Sequence, residues 1–207
     1  AADASNCYSR SRVNLSPISS DVSVWDHWRR HAERTPDREA IVHWCAGDEP
    51  VRWRWAALME AAQPVAARLR EAGVRAGEVC ALIIRHDPRF YPVYLAVSSL
   101  GAIPAVLAYP NKRLHPDKFR AGLEGMARVS GLDWVLTERD LQDTLAPLLR
   151  REGSTIRDIL FPFEETEQTK AFAEIPSRSA APTDACLLQH SSGTTGLQKA
   201  VVLSQRA

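Results

Sequence analysis

The sequence predicts an α/β fold, a largely parallel sheet flanked by helices, on three observations. Residues 79–84 form a continuous apolar run, the pattern of a strand buried on both faces. From that run onward, strand-like and helix-like segments alternate, which implies parallel strands with crossover helices packed on them. Glycine and proline stand between the segments where elements of each type stop.

Residues 1–20 are polar and read as a flexible arm. They lack the apolar core of a signal peptide, and a disordered leader is preferred over the transit peptide that Arg10 and Arg12 among serines resemble in composition. The domain is expected over 21–207. Val24, Trp25, Trp28 and Ala32 recur at helical spacing and predict a helix over 22–34, ended by Thr35-Pro36-Asp37. Strands over 40–44 and 51–55 flank a turn at Gly47-Asp48. A helix over 56–72 closes at Gly73, and Pro64 inside it is expected to kink or split it.

The strand over 79–84 comes next. Asp87-Pro88 is read as an N-cap and first-turn proline for a helix over 89–100, which stops at Gly101. A strand over 103–107 follows. His115-Pro116-Asp117 opens a helix through 129, closed by Gly131. A strand over 134–137 and a mostly helical stretch over 138–151 complete the alternation. Residues 153–183, rich in Glu, Thr, Ser and Pro, read as a surface connection with a short strand possible within 156–161. Two further strands are expected over 185–189 and 200–203.

Composition excludes several classes. Lys and Arg number 26 against 25 Asp and Glu, with no basic stripe, so a nucleic-acid partner is not expected. No apolar run reaches the ~20 residues of a membrane span. Cys7, Cys45, Cys80 and Cys186 are far apart, which argues against a metal site. Cys80 and Cys186 read as small buried residues, and free thiols point to the cytoplasm. His27 and His31 stand one turn apart without a third ligand type nearby, so no metal is expected there. His86-Asp87 is read as a helix cap rather than an acid–base pair. The tryptophans are expected to pack in the core.

The chemistry concentrates between the last two strands, in His190-Ser191-Ser192-Gly193-Thr194-Thr195-Gly196-Leu197-Gln198-Lys199. Glycines let backbone N–H groups approach oxygens closely, and successive amides in such a turn make an anion-binding nest. Hydroxyls donate further hydrogen bonds, and one lysine adds a point charge. This is the donor set a polyphosphate needs. It is not a Walker A loop, in which lysine follows the second glycine directly and a helix comes next.

Residues 191–200 resemble the signature S-S-G-T-T-G-x-P-K-G of the adenylate-forming superfamily: acyl-CoA synthetases, fatty acyl-AMP ligases, adenylation domains of nonribosomal peptide synthetases, and luciferases. Eight of ten positions fit; Gln198 replaces the proline, which should leave the loop more mobile, and Ala200 the glycine. Upstream, ERTPDREAIV at 33–42 resembles the family's opening helix and first strand. LAVSSLGAIPAVLAYP at 95–110 resembles its L-x-A-G-A-x-x-x-P-L-x-P segment, and 111–126 is more similar to fatty-acyl and aryl activating members. Gln205 stands where Ser-His-Arg is common, so a histidine-dependent contact there is expected to be missing.

The resemblance implies an N-terminal α/β subdomain of an ATP- and Mg2+-dependent ligase that converts a carboxylic acid, fatty or aryl, to an acyl-adenylate. Acyl transfer to the thiol of CoA or an acyl carrier protein would follow. Ser191, Thr194 and Thr195 would contact the β- and γ-phosphates, with Ser192 in the same binding loop. Gly193 and Gly196 would permit the turn, and Lys199, also the candidate catalytic residue, would neutralise charge. His190 would line the acid, or else merely cap a strand end; the residues leave both open. The family's later motifs, which include a magnesium-binding glutamate, have no candidate here. The expectation is a portion ending after the loop, inactive alone, with the C-terminal remainder as its partner. The alternatives are a non-catalytic binding or regulatory module that keeps a phosphate loop, and an unrelated kinase-like protein, against which the strand after the loop argues.

Overall fold

The computed structural model describes residues 22–110, 115–149, 152–164, 180–190 and 200–206. The arm expected at 1–20 lies outside them, as do residues 165–179 and 191–199.

Helix α1 (Val24–Arg34) leads to a two-stranded antiparallel hairpin of β1 (Glu39–His43) and β2 (Val51–Arg54). Helix α2 (Trp55–Ala72) precedes β3 (Val79–Ile83), α3 (Phe90–Ser99), β4 (Ile103–Val106), α4 (Pro116–Ser130) and β5 (Leu132–Thr137). A 3-10 turn at Arg139–Leu141 opens into α5 (Gln142–Leu149), followed by β6 (Asp158–Leu160), β7 (Ala185–His190) and β8 (Ala200–Ser204). The main sheet has the order β6-β5-β3-β4-β7-β8. Its strands are parallel except for β8, which runs antiparallel to β7.

The apolar run at β3 faces two cores. Cys80 and Leu82 pack with α1, α2 and α3 on one face, while Ala81 and Ile83 pack with α4 and α5 on the other. Strand alternation sends successive side chains to opposite faces, so a strand covered on both sides is apolar throughout. β4 and β5 lie on either side of β3, and the helices following β3 and β5 belong to opposite faces. This is the topological switch point of an open α/β sheet, beside which such folds place ligands at the carboxyl ends of the strands.

The opposite, amino end of the sheet is closed by Glu78. Its Oε2 accepts from Trp134 Nε1 at 2.7 Å and from Arg75 N–H at 2.8 Å, and its Oε1 accepts from Arg157. Burial alone would raise the Glu78 carboxyl; the bonds from Trp134, Arg75 and Arg157 outweigh it and hold the group below its ordinary value.

Several sequence expectations are corrected. Helix α2 runs through Pro64 without a break. The proline removes the N–H that would bond Glu60 C=O, at a cost of about 3 kcal/mol in an ordinary helix interior. Here Glu60 is exposed to solvent, while buried Ala62, Val65, Ala66 and Leu69 bind the helix to the core on both sides of the proline. Asp87 does not cap α3. The helix starts at Phe90, and Asp87 Oδ1 accepts from Arg89 N–H in the preceding turn. Trp55 begins α2 instead of ending β2, β5 starts two residues early at Leu132, and α5 begins only after the 3-10 turn. Trp25 and Trp134 are buried, but Trp44 is 68% exposed at the end of β1. Cys80 is buried as expected, whereas Cys186 is only half-buried.

Candidate functional site

Residues 191–199, which hold Ser191, Ser192, Gly193, Thr194, Thr195, Gly196 and Lys199, lie outside the described residues. Their two flanks are placed. β7 and β8 form an antiparallel ladder that ends with His190 opposite Ala200. β7 is in turn held on its other side by β4, through Ala105 opposite Leu188 and Val106 opposite Gln189. Leu188 and Ala200 anchor the hairpin in the α4–α5 core. The nine-residue segment therefore starts at the carboxyl end of a strand in the parallel sheet, the end at which α/β sheets bind ligands.

That rim carries charge that is already paired. Arg85, just past β3, bonds Glu138 Oε2 at 2.7 Å through Nη1 and Asp140 through Nη2. Its guanidinium also sits 4.5 Å from the Tyr109 ring centroid, and the Tyr109 hydroxyl donates to Asp140 at 2.8 Å. Arg89 is bonded by Asp87, and Arg139 by Glu164. Each of these guanidiniums has a carboxylate against it, so their field is largely cancelled a few ångströms away. Within 191–199 itself, the donors available to a polyanion are Lys199 and N–H and O–H dipoles. The segment contains no acidic residue to oppose it.

His190 faces the α4 side of the sheet. Its Nε2 is 2.9 Å from Ser130 Oγ, and its Nδ1 is buried without a partner among the described residues. Burial lowers its pKa, favouring the neutral ring. His86 and Asp87 do not form an acid–base pair. His86 Nε2 donates to Trp44 C=O at 2.7 Å, and its ring stacks on His43 at 4.1 Å between centroids. His27 and His31 approach to 3.3 Å through Nε2, and His31 stacks on Trp55. Among the described residues no three His, Cys, Asp or Glu side chains stand together as metal ligands. No described helix is long and apolar enough to cross a membrane.

The Arg85–Glu138–Asp140–Tyr109 cluster and the Ser130–His190 bond escaped sequence reasoning. A signal for the first exists: charged residues follow directly on the apolar runs of β3 and β5. None exists for the second, because the two residues are 60 apart in sequence.

A family model for AMP-binding enzymes matches residues 28–207. The chain belongs to the AMP-binding enzyme family. Among its relatives are a vibriobactin-specific 2,3-dihydroxybenzoate-AMP ligase of Vibrio cholerae, 27% identical over 87% of this chain and 33% of the relative. Another is a long-chain-fatty-acid–CoA ligase of Thermus thermophilus, 28% identical over 95% of this chain and 36% of the relative. The chain thus spans about a third of the length of these curated relatives. The fold is shared with adenylate-forming enzymes of known structure. One is the McyG A-PCP structure complexed with phenylalanyl-adenylate, at a TM-score of 0.72 and 20% identity over 91% of this chain and 29% of that one. Membership of this family disposes of the unrelated kinase-like alternative.

Proposed function

We propose that this chain supplies the ATP-phosphate-binding part of a ligase that activates a carboxylic acid as its acyl-adenylate. What supports the reading is where the flanks of residues 191–199 lie: β7, paired with β4 on one side and β8 on the other, ends at His190, and the sequence that follows it supplies amide, hydroxyl and lysine donors. The donor set fits a triphosphate. Gly193 and Gly196 allow the backbone to approach phosphate oxygens. Ser191, Ser192, Thr194 and Thr195 donate hydrogen bonds, and Lys199 offsets the repulsion between a carboxylate and a polyphosphate as charge moves onto the leaving pyrophosphate. ATP, when bound, supplies the adenylyl group and the leaving group. Magnesium travels with the phosphates and takes its protein ligand from outside these residues.

The acid is fatty or aryl in this reading. Support comes from the 111–126 segment and from relatives whose names specify a dihydroxybenzoate and a long-chain fatty acid. The acceptor is a thiol, of CoA or of a carrier protein. Complete turnover belongs to a polypeptide of the relatives' length, and the 207 residues alone would bind phosphate without turnover.

The test is acid-dependent exchange of radiolabelled pyrophosphate into ATP, run on a polypeptide of that length with a panel of fatty and aryl acids. Lys199→Ala should lower kcat for exchange by roughly 100-fold, the range seen when one charge-stabilising group is removed. An exchange rate indifferent to Lys199→Ala would refute the assignment, and exchange by the 207-residue chain itself would refute its expected inactivity.

A further inference from the structure

We propose that His27 and His31 on α1 chelate a divalent transition-metal ion of the imidazole-preferring class, of which zinc is the representative. The two histidines stand at i and i+4, the spacing that puts two rings on one face of a helix. Their Nε2 atoms are 3.3 Å apart. With metal–nitrogen bonds of about 2.0–2.1 Å, two ligands at a tetrahedral angle stand about 3.3–3.4 Å from each other. The nitrogens are therefore already at the bite distance of one ion. The same separation is long for a hydrogen bond between the rings, against about 2.7–3.2 Å for an ordinary N–H···O bond.

The pair is also held ready. The His31 ring stacks on Trp55 of α2, with centroids 5.5 Å apart and planes 15° from parallel. The His31 carbonyl accepts from both the N–H and the hydroxyl of Thr35, which closes α1 at that turn. His27 is half-buried, and burial, with His31, Arg30 and Arg34, lowers its pKa. Its ring is thus neutral near pH 7, the form that binds a metal. Imidazole suits zinc, copper and nickel, whereas magnesium and calcium take oxygen ligands. Zinc-protease helices of the form H-E-x-x-H use the same spacing with a glutamate as general base after the first histidine. Trp28 stands at that position here, so the pair binds an ion without a base to activate water on it. Water completes the coordination, because no third protein ligand lies among the described residues. Arg30 and Arg34 oppose the charge of the ion and set a limit on its affinity.

The experiment titrates Zn2+ into the 207-residue chain by calorimetry at about pH 7.5, where both rings are neutral, and follows the imidazole NMR signals in parallel. One ion per chain is expected, with the largest shifts at His27 and His31 and with affinity falling as pH drops through about 6.5. His27→Ala and His31→Ala should each weaken binding by more than the roughly tenfold that loss of a mere supporting group costs. Alanine favours helix, so circular dichroism should show the fold intact in both variants. His115→Asn removes an imidazole elsewhere, keeps an acceptor at the start of α4, and should leave binding unchanged. No binding at about millimolar Zn2+ overturns the proposal. An affinity unchanged in either alanine variant, lost in His115→Asn, or accompanied by shifts at other histidines instead also overturns it, because the ion would then sit elsewhere. Displacement of Zn2+ by an equal concentration of Mg2+ would overturn it as well, since an imidazole pair does not prefer that ion.

Discussion

Replacing Trp134 with phenylalanine tests whether the amino end of the sheet is held by a charged hydrogen bond. Trp134 is buried on β5, and its indole N–H donates to the Glu78 carboxylate at 2.7 Å. Phenylalanine keeps an aromatic ring in the core but deletes that donor. A hydrogen bond to a charged acceptor contributes about 1.5–3 kcal/mol and a neutral one about 0.5–1.5. The loss at pH 7 should therefore be about 2–3 kcal/mol, plus a smaller packing loss from the reduced ring. The two components separate by pH. Glu78 has its folded-state value lowered from 4.5, so its stabilisation is fully present above that value and is lost as pH falls through the lower folded one. Removing the Trp134 donor brings the folded and unfolded values closer together. Urea unfolding between pH 7 and pH 4 should show the wild type losing stability faster than Trp134→Phe below about pH 4.5, with the gap narrowing. A gap that stays constant across this range would mean that ring size accounts for the loss and the charged bond contributes nothing.

Other consequences follow from the same structure. Leu82→Ala empties a fully buried site between α2, α3 and the sheet, and should cost about 2–5 kcal/mol, read from the shift in denaturation midpoint. Acid should weaken the fold from near neutrality. Burial and the adjacent His86 lower His43, and burial lowers His190, so the unfolded chain takes up these protons first. Stability is then lost as pH falls from about 6.5 through the lower folded values. Replacing His43 with phenylalanine should flatten that part of the stability curve, and an unchanged slope would remove His43 from the account. Burial raises the Cys80 thiol far above its ordinary value, so a disulfide reagent should modify Cys80 only after denaturation; prompt labelling in the native protein would contradict its burial.

The layered fold was legible because its strongest signals are local. The unbroken apolar run at 79–84, the glycines at 73, 101 and 131, and the proline at 116 each mark one element or its end, and the structure has an element or an end at each place. The misplacements are equally physical. Pro64 does not split its helix, because buried neighbours on both sides of it bind the helix to the core across one missing bond. A capping rule assigned Asp87 to the helix, but Arg89, two residues on, captures its carboxylate from both main chain and side chain. The candidate loop was legible as chemistry, from residue types alone. Its surroundings were not, because the pairing of Arg85 with Glu138 and Asp140 spans more than fifty residues and depends on β3 and β5 being neighbours.

Gln205 shows how a departure from a family pattern can be read once the contacts are known. It stands two residues past Leu203, where the resemblance led us to expect a histidine-dependent contact to be missing. A different contact is made instead: its side-chain Oε1 accepts from Val24 N–H at 2.8 Å, across 181 residues. Val24 opens α1, whose first N–H groups have no partners within the helix. Ser23 Oγ takes one of them, from Asp26, and Gln205 takes another. The backbone of Gln205 also donates to Asp184 C=O at 2.8 Å, just before β7 begins. One residue thus ties both strands of the hairpin to the first helix, at the end opposite the 191–199 segment. The requirement at this site is an acceptor. Glutamate keeps one and adds a charge that suits a helix N-terminus, whereas leucine leaves Val24 N–H unpaired. Gln205→Leu should cost about 1 kcal/mol and speed hydrogen exchange at Val24, while Gln205→Glu should match or exceed the wild type in thermal stability. Equal melting of the two variants would mean that the bond contributes nothing and that the hairpin is anchored by its ladder alone.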